Sequence, residues 1–167
     1  MQLTDTHTHI YLPEFDADRD EAVHRAVSSG VTRMLMPNID ADSLGSMMAA
    51  ADRYKGICLP MLGLHPTSVK ADYRETLDNL LALWDSHDFV AVGEIGIDLY
   101  WDKSFLREQM EAMTIQCQFA ADRGVPVAVH SRDSFPEVFS VLENFRGSGL
   151  KGVLHAFTGD IRDAERA

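Results

Sequence analysis

Short apolar runs rich in β-branched residues alternate along the chain with longer stretches whose apolar positions recur every three or four residues. The runs LTDTHTHI (3–10), RMLMP (33–37), ICLPMLGLHP (57–66), FVAVGEIGI (89–97), VPVAVHS (125–131) and LKGVLHAF (150–157) predict six strands. Amphipathic segments between them predict helices over 16–30, 43–55, 73–87, 105–123 and 134–145, with a further helix opening behind Asp160. Gly30 and Gly124 stand where helix stops belong, and Asp42 is expected to cap the helix that begins at Ser43.

This alternation, repeating every roughly 25–35 residues, reads as βα units: a parallel sheet with helices packed outside it. Doubly wound sheets and (β/α)8 barrels share the pattern, and the polar residues choose between them. His9, His65, Glu94, His130 and His155 each fall toward the predicted C-terminal end of a different strand. Contributions from five strands suit the rim of a ring better than the single crevice of an open sheet. The expected fold is therefore an α/β (β/α)8 TIM barrel of which this chain supplies about six βα units. Residues 1–167 are expected to form one domain, incomplete at its C-terminus, because six strands do not close such a barrel.

The net charge of −11 argues against a broad basic surface that grips nucleic acid by counterion release. No stretch reaches the ~18 consecutive apolar residues of a membrane span, so no membrane partner is expected. Cys58 and Cys117 form no CxxC pair and read as buried, reduced thiols of a cytoplasmic protein.

The candidate chemistry begins at DTHTHI. Side chains at i and i+2 of a strand share a face, so His7 and His9 project together, with Asp5 below them, and can share one metal ion. Glu94 stands in GEIGID, an otherwise apolar and glycine-rich run. A buried carboxylate needs a cation or strong donors, which a metal or a neighbouring Arg or Lys could supply. His130 and His155 each end an apolar strand. Four imidazoles and one carboxylate on one rim suit two divalent ions bridged by the carboxylate. Such a donor set does not choose among zinc, magnesium, manganese and nickel.

Arg132, close behind His130, reads either as a phosphate fork or as an ion-pair partner of Asp133 or Glu137. Asp98, Tyr100 and Trp101 follow the fourth strand on a loop, and the two aromatics are expected to serve packing rather than base stacking. His24 and His87 read as surface residues. Met34, Met36, Met47, Met48 and Met61 read as core.

DTHTHI, GLHP, GEIGIDLYWD, PVAVHSRD and VLHAFTGD, in this order and spacing, resemble the successive signatures of the TatD family of metal-dependent deoxyribonucleases, within the amidohydrolase-like barrels. The resemblance spans the whole chain. It implies a barrel with two divalent metals at its C-terminal mouth and hydrolysis of DNA phosphodiesters, at single strands or frayed ends, by a metal-activated water. It implies that His7 and His9 hold one metal, that Glu94 bridges, and that His130 and His155 hold the second. His65 matches a position near the substrate phosphate, and His65, Glu94 and Arg132 are the expected catalytic residues. Gln109 and Gln116 also match family positions, whereas Met113 stands where Phe is usual. A further metal-binding Asp of the family, in a TDAP-like motif on the last barrel strand, has no counterpart within residues 1–167. Related barrels act on amides and esters, and a truncated barrel without activity is a further alternative.

Overall fold

Each apolar run forms a strand and each amphipathic stretch a helix in the computed structural model, which describes residues 1–167. In chain order these are β1 (Leu3–Asp5), α1 (Arg19–Ser28), β2 (Val31–Pro37), α2 (Ala41–Arg53), β3 (Cys58–Met61), α3 (Tyr73–Leu81), β4 (Val92–Asp98), α4 (Leu106–Arg123), β5 (Val127–Arg132), α5 (Phe135–Leu142), β6 (Gly152–His155) and α6 (Ile161–Arg166). The strands form two parallel ladders, β1-β2-β3 and β4-β5-β6. Leu62 joins them: it bridges Val92, taking the carbonyl of Ala91 and accepting from the amide of Gly93. β1 and β6 do not pair with each other, so the six strands make an open arc rather than a closed ring.

Several boundaries differ from the sequence expectation, each for a local reason. β1 stops at Asp5 because its Oδ1 accepts the His7 amide at 3.1 Å and turns the backbone out of the ladder. Only the Thr8 amide, bonded to Leu35 O, still tracks β2. β3 ends at Met61, whose carbonyl accepts the Asn38 amide just past β2, while Pro60 and Leu62 bond on the opposite edge to the run that enters β4. His9 and His65 therefore lie beyond the ladders and not at strand ends. Glu94 is the third residue of β4, which continues through Gly96↔His130 to Asp98↔Arg132. The polar residue at the end of β4 is Asp98. Asp40, not Asp42, caps α2: its carboxylate accepts the Ser43 amide and the Ser43 hydroxyl accepts the Asp40 amide, a capping box that opens the helix at Ala41.

The helices cover one face of the arc. Met36, Met47, Leu62, Leu64 and Leu77 form the centre of one apolar cluster, and Ile95, Ile97, Met113, Cys117, Val129 and Val138 that of the other. Burial of side chains of this size contributes about 1.5–3 kcal/mol each. Met34, Met36, Met47 and Met61 are buried and Met48 partly so, while His24 and His87 are exposed, as their positions predict.

Candidate metal centre

Glu94 reaches its place through main-chain contacts on both sides. The Asn38 amide donates to Gly93 O at 3.0 Å, and Asn38 O accepts the Glu94 amide at 3.1 Å. The Asn38 side chain is fully buried and donates to the carbonyls of Asp40 and Gly63, which ties the end of β2 to the segment after β3. Gln116 of α4 fixes the same segment, accepting the Leu64 amide at 2.7 Å and donating to Leu64 O. Gln109 does this for Asp98. Two buried glutamines thus anchor the chain immediately before His65 and at the end of β4.

Around Glu94 stand four imidazoles. Glu94 Oε2 lies 3.2 Å from His7 Nε2, 3.7 Å from His9 Nε2 and 3.7 Å from His65 Nε2, and Oε1 lies 3.1 Å from His130 Nδ1. Burial alone would raise this carboxyl, but the ring of imidazoles around it, His130, His7, His9 and His65, outweighs that and holds the group far below the usual carboxylate range. No Arg or Lys pairs with Glu94; its partners are all imidazoles.

Two groups have the donors for a divalent ion: His7, His9 and Glu94, and His65, Glu94 and His130. Tetrahedral coordination at ~2.0–2.1 Å places neighbouring donors about 3.3 Å apart. The first group fits this closely, with His7 Nε2 and His9 Nε2 3.2 Å apart. Both groups share Glu94, so one carboxylate serves two adjacent sites. His155 belongs to neither group. Its ring stacks on His7, centroids 3.4 Å apart and ring planes within 9° of parallel, and burial followed by the His7 charge lowers its pKa.

The other faces of the rings settle their tautomers. The Tyr11 hydroxyl donates its single proton to Pro37 O at 2.5 Å, so it must accept from His9 Nδ1 at 2.9 Å. His9 is therefore protonated on Nδ1 and turns a bare Nε2 toward Glu94. Burial followed by the charges of Asp40 and Glu94 raises the Tyr11 phenol above its ordinary value, keeping the proton in place. His65 is the reverse case. Its Nδ1 accepts the Thr67 amide at 3.2 Å, which leaves the hydrogen of the neutral ring on Nε2. Burial pushes this imidazole down to about 4, so it faces the cluster as a neutral N–H donor. His130 lies between two carboxylates, Nδ1 toward Glu94 and Nε2 toward Asp98 Oδ2 at 2.9 Å. Burial opposes its protonation, and the two carboxylates together reverse that and raise its pKa.

Arg132 points elsewhere. It makes no ion pair with Asp133 or Glu137; its guanidinium lies 3.7 Å from the centroid of the Tyr100 ring and 5.5 Å from that of Trp101. Those two aromatics are 53% and 70% exposed and pack into no core, contrary to the sequence expectation. Three residues that shape the centre, Tyr11, Asn38 and Asp98, carry little signal in the sequence. Asp98 is the most legible, as an acidic residue at the end of an apolar strand.

The family model described as TatD related DNase matches residues 4–167. The chain is 30% identical over 162 residues to the uncharacterized metal-dependent hydrolase YabD of Bacillus subtilis, covering 97% of this chain and 63% of that protein. It is 34% identical over 151 residues to the 3'-5' ssDNA/RNA exonuclease TatD of Cronobacter sakazakii, covering 90% and 57%. The crystal structure of YjjV, a TatD homolog from Escherichia coli, superposes with a TM-score of 0.87 at 30% identity, covering 98% of this chain and 63% of that one. The chain thus spans less than two thirds of the length of these relatives. The family model nonetheless covers nearly the whole of this chain, which belongs to the family of TatD-related DNases.

Proposed function

We propose that this chain carries the metal-binding part of a divalent-metal-dependent phosphodiester hydrolase acting on DNA, with single strands or frayed ends as substrate. The carrying observation is the buried Glu94 carboxylate facing four imidazole nitrogens, with no Arg or Lys to neutralise it. The printed activity of the Cronobacter relative, a 3'-5' ssDNA/RNA exonuclease, supports the substrate class. In this reading the six βα units are part of a (β/α)8 barrel, and residues 1–167 belong to one domain. The two buried free thiols suit a cytoplasmic setting.

Each residue has a stated task. His7 and His9 would hold one ion, with Tyr11 presenting the bare Nε2 of His9. Glu94, kept ionised, would be shared between the two sites. His130 would serve the second through Nδ1, and His155 stacks on His7 at the edge of the first group. His65 keeps its Nε2–H and donates to a phosphate oxygen rather than ligating. Arg132 adds positive charge beside the centre of an acidic protein and draws in the phosphate backbone. Divalent ions held by these residues would supply Lewis-acid activation of a water and charge stabilisation at the phosphate.

The test is turnover by the metal-loaded chain of a short single-stranded oligonucleotide against amide and ester substrates. Cleavage of the oligonucleotide that is abolished by Glu94→Gln supports the reading. Turnover of acyl substrates alone moves the chain to amide or ester chemistry. Metal binding without turnover of either shows that these residues hold ions but do not suffice for hydrolysis.

A further inference from the structure

We propose that Tyr100, Trp101 and Arg132 form a platform on which a base of a single-stranded polynucleotide stacks beside the metal centre. This deepens the nuclease reading and rests on it for the identity of the ligand. Large aromatic side chains normally leave water, and when two neighbours stay exposed beside a functional cluster they mark a binding surface. Tyr100 and Trp101 are 53% and 70% exposed, while the preceding Leu99 is buried. Their rings meet edge to face, centroids 4.8 Å apart and perpendicular.

The platform is built rather than merely exposed. Asp98 Oδ1 accepts the amides of both Tyr100 and Trp101, at 3.0 and 3.2 Å. The other oxygen of the same carboxylate contacts His130. One buried side chain therefore fixes the aromatic loop and touches the metal-ligating cluster. On the β5 side, Arg132 follows His130 by two residues and lays its guanidinium against Tyr100. No carboxylate lies within ion-pair distance of it, so its charge is available to phosphate while its plane extends the π surface. A small cleft lined by Trp101, Asp102, Lys70, Pro66 and Thr67 lies between the aromatic loop and the segment that follows His65.

This combination suits a base with its phosphate, and a single strand rather than a duplex. In a duplex both faces of a base are covered by its neighbours, and stacking on side chains requires an unpaired base. Every base has a π face, so the platform should accept all four, in keeping with a degradative enzyme of low sequence preference.

The experiment uses the full chain in chelator, so that binding is read without hydrolysis. Fluorescence anisotropy gives Kd for a labelled short oligothymidylate and for an abasic deoxyribose-phosphate strand of the same length, at one fixed salt concentration. Trp101→Ala and Tyr100→Ala are each expected to raise the Kd for the oligothymidylate about fivefold or more. They should leave the Kd for the abasic strand within about twofold, and Trp101→Phe should retain most of the affinity. Arg132→Ala should weaken both ligands. Oligothymidylate should quench the tryptophan emission of the wild type and not that of Trp101→Ala. Equal losses for both strands, unchanged Kd values, or a wild type that shows no quenching and no preference for the base-bearing strand would overturn the platform. Hydrolysis of bis(4-nitrophenyl) phosphate by the metal-loaded wild type tests the chemistry separately, because that substrate has no base. Its failure beside intact base-dependent binding would show that these residues do not suffice for phosphodiester hydrolysis and leave the platform standing.

Discussion

Asp98 Oδ2 stands 2.9 Å from His130 Nε2, on the side of the ring away from Glu94, whose Oε1 lies 3.1 Å from Nδ1. A carboxylate behind a metal-binding imidazole fixes which nitrogen keeps its hydrogen, and loss of such a partner typically costs 10–100-fold in metal affinity. In the neutral ring Asp98 keeps the hydrogen on Nε2, which makes Nδ1 the nitrogen available to an ion on the side of the cluster. Asp98→Asn should reverse this. Its carbonyl oxygen stays with the Tyr100 and Trp101 amides, so its NH2 faces Nε2 and drives the hydrogen of His130 onto Nδ1. Calorimetric titration with zinc or manganese should show the site at His130 weakened about 10-fold or more, with the far-UV circular dichroism unchanged. Equal affinity for wild type and variant would show that Asp98 does not orient the ring.

The alternation of strands and helices was legible because each apolar run is short and each helix amphipathic. The ladder ends were not, because partners elsewhere in the chain set them. Nothing in ICLPMLGLHP signals that Leu62 bonds to the run entering β4. The histidines and Glu94 stood out because polar residues in apolar runs require a reason. Tyr11 and Asn38 did not, since a tyrosine and an asparagine in loops are ordinary; their roles lie in contacts with Pro37 and Gly93, far along the chain. His65 shows the limit most clearly. Its motif places it near the cluster, but only the Thr67 amide on Nδ1 shows which ring nitrogen carries the hydrogen when the ring is neutral.

Tyr11 supplies the second orientation test. Tyr11→Phe removes the hydroxyl that accepts from His9 Nδ1, so the hydrogen is free to move to Nε2, the nitrogen facing Glu94. The lost bond to Pro37 O should cost about 1 kcal/mol of stability. Affinity for the ion at His7 and His9 should fall about 10-fold, by the same logic as for Asp98. Thermal melts with and without added metal separate the two effects. A variant that loses stability but gains as much from metal as the wild type would show that Tyr11 acts through packing alone.

The thiols provide a pH-dependent check on the core. Cys58 is 2% exposed and Cys117 fully buried, and burial pushes their thiols up to about 11 and about 12. Thiolate is the reactive form, and an ordinary free cysteine gains most of it between about pH 7 and about pH 9. Because both pKa values are raised, the native protein should show no rise in reaction with a disulfide reagent across that interval. In denaturant both cysteines should titrate and react at once. Rapid labelling of one thiol in the native state at about pH 8 would show that its cluster opens to solvent.

Gly96 tests how closely β4 and β5 approach where they carry the centre. Its φ is +135°, and a Cβ there would stand 2.0 Å from the carbonyl oxygen of His130. Gly96→Ala must therefore strain its own backbone and push β5 away from β4, moving His130 relative to Glu94. Gly124, at the end of α4, also has positive φ (+65°) but no atom within 4 Å of the added carbon, so Gly124→Ala measures backbone strain alone. That strain is worth about 1 kcal/mol, whereas the clash should bring Gly96→Ala to about 3 kcal/mol or more. For a chain of this size each 1 kcal/mol lowers Tm by about 2–4 °C, so Gly96→Ala should melt at least about 6 °C below the wild type and Gly124→Ala about 2–4 °C below it. Equal melting of the two variants would mean that the strands part without cost and that His130 is not held by this contact.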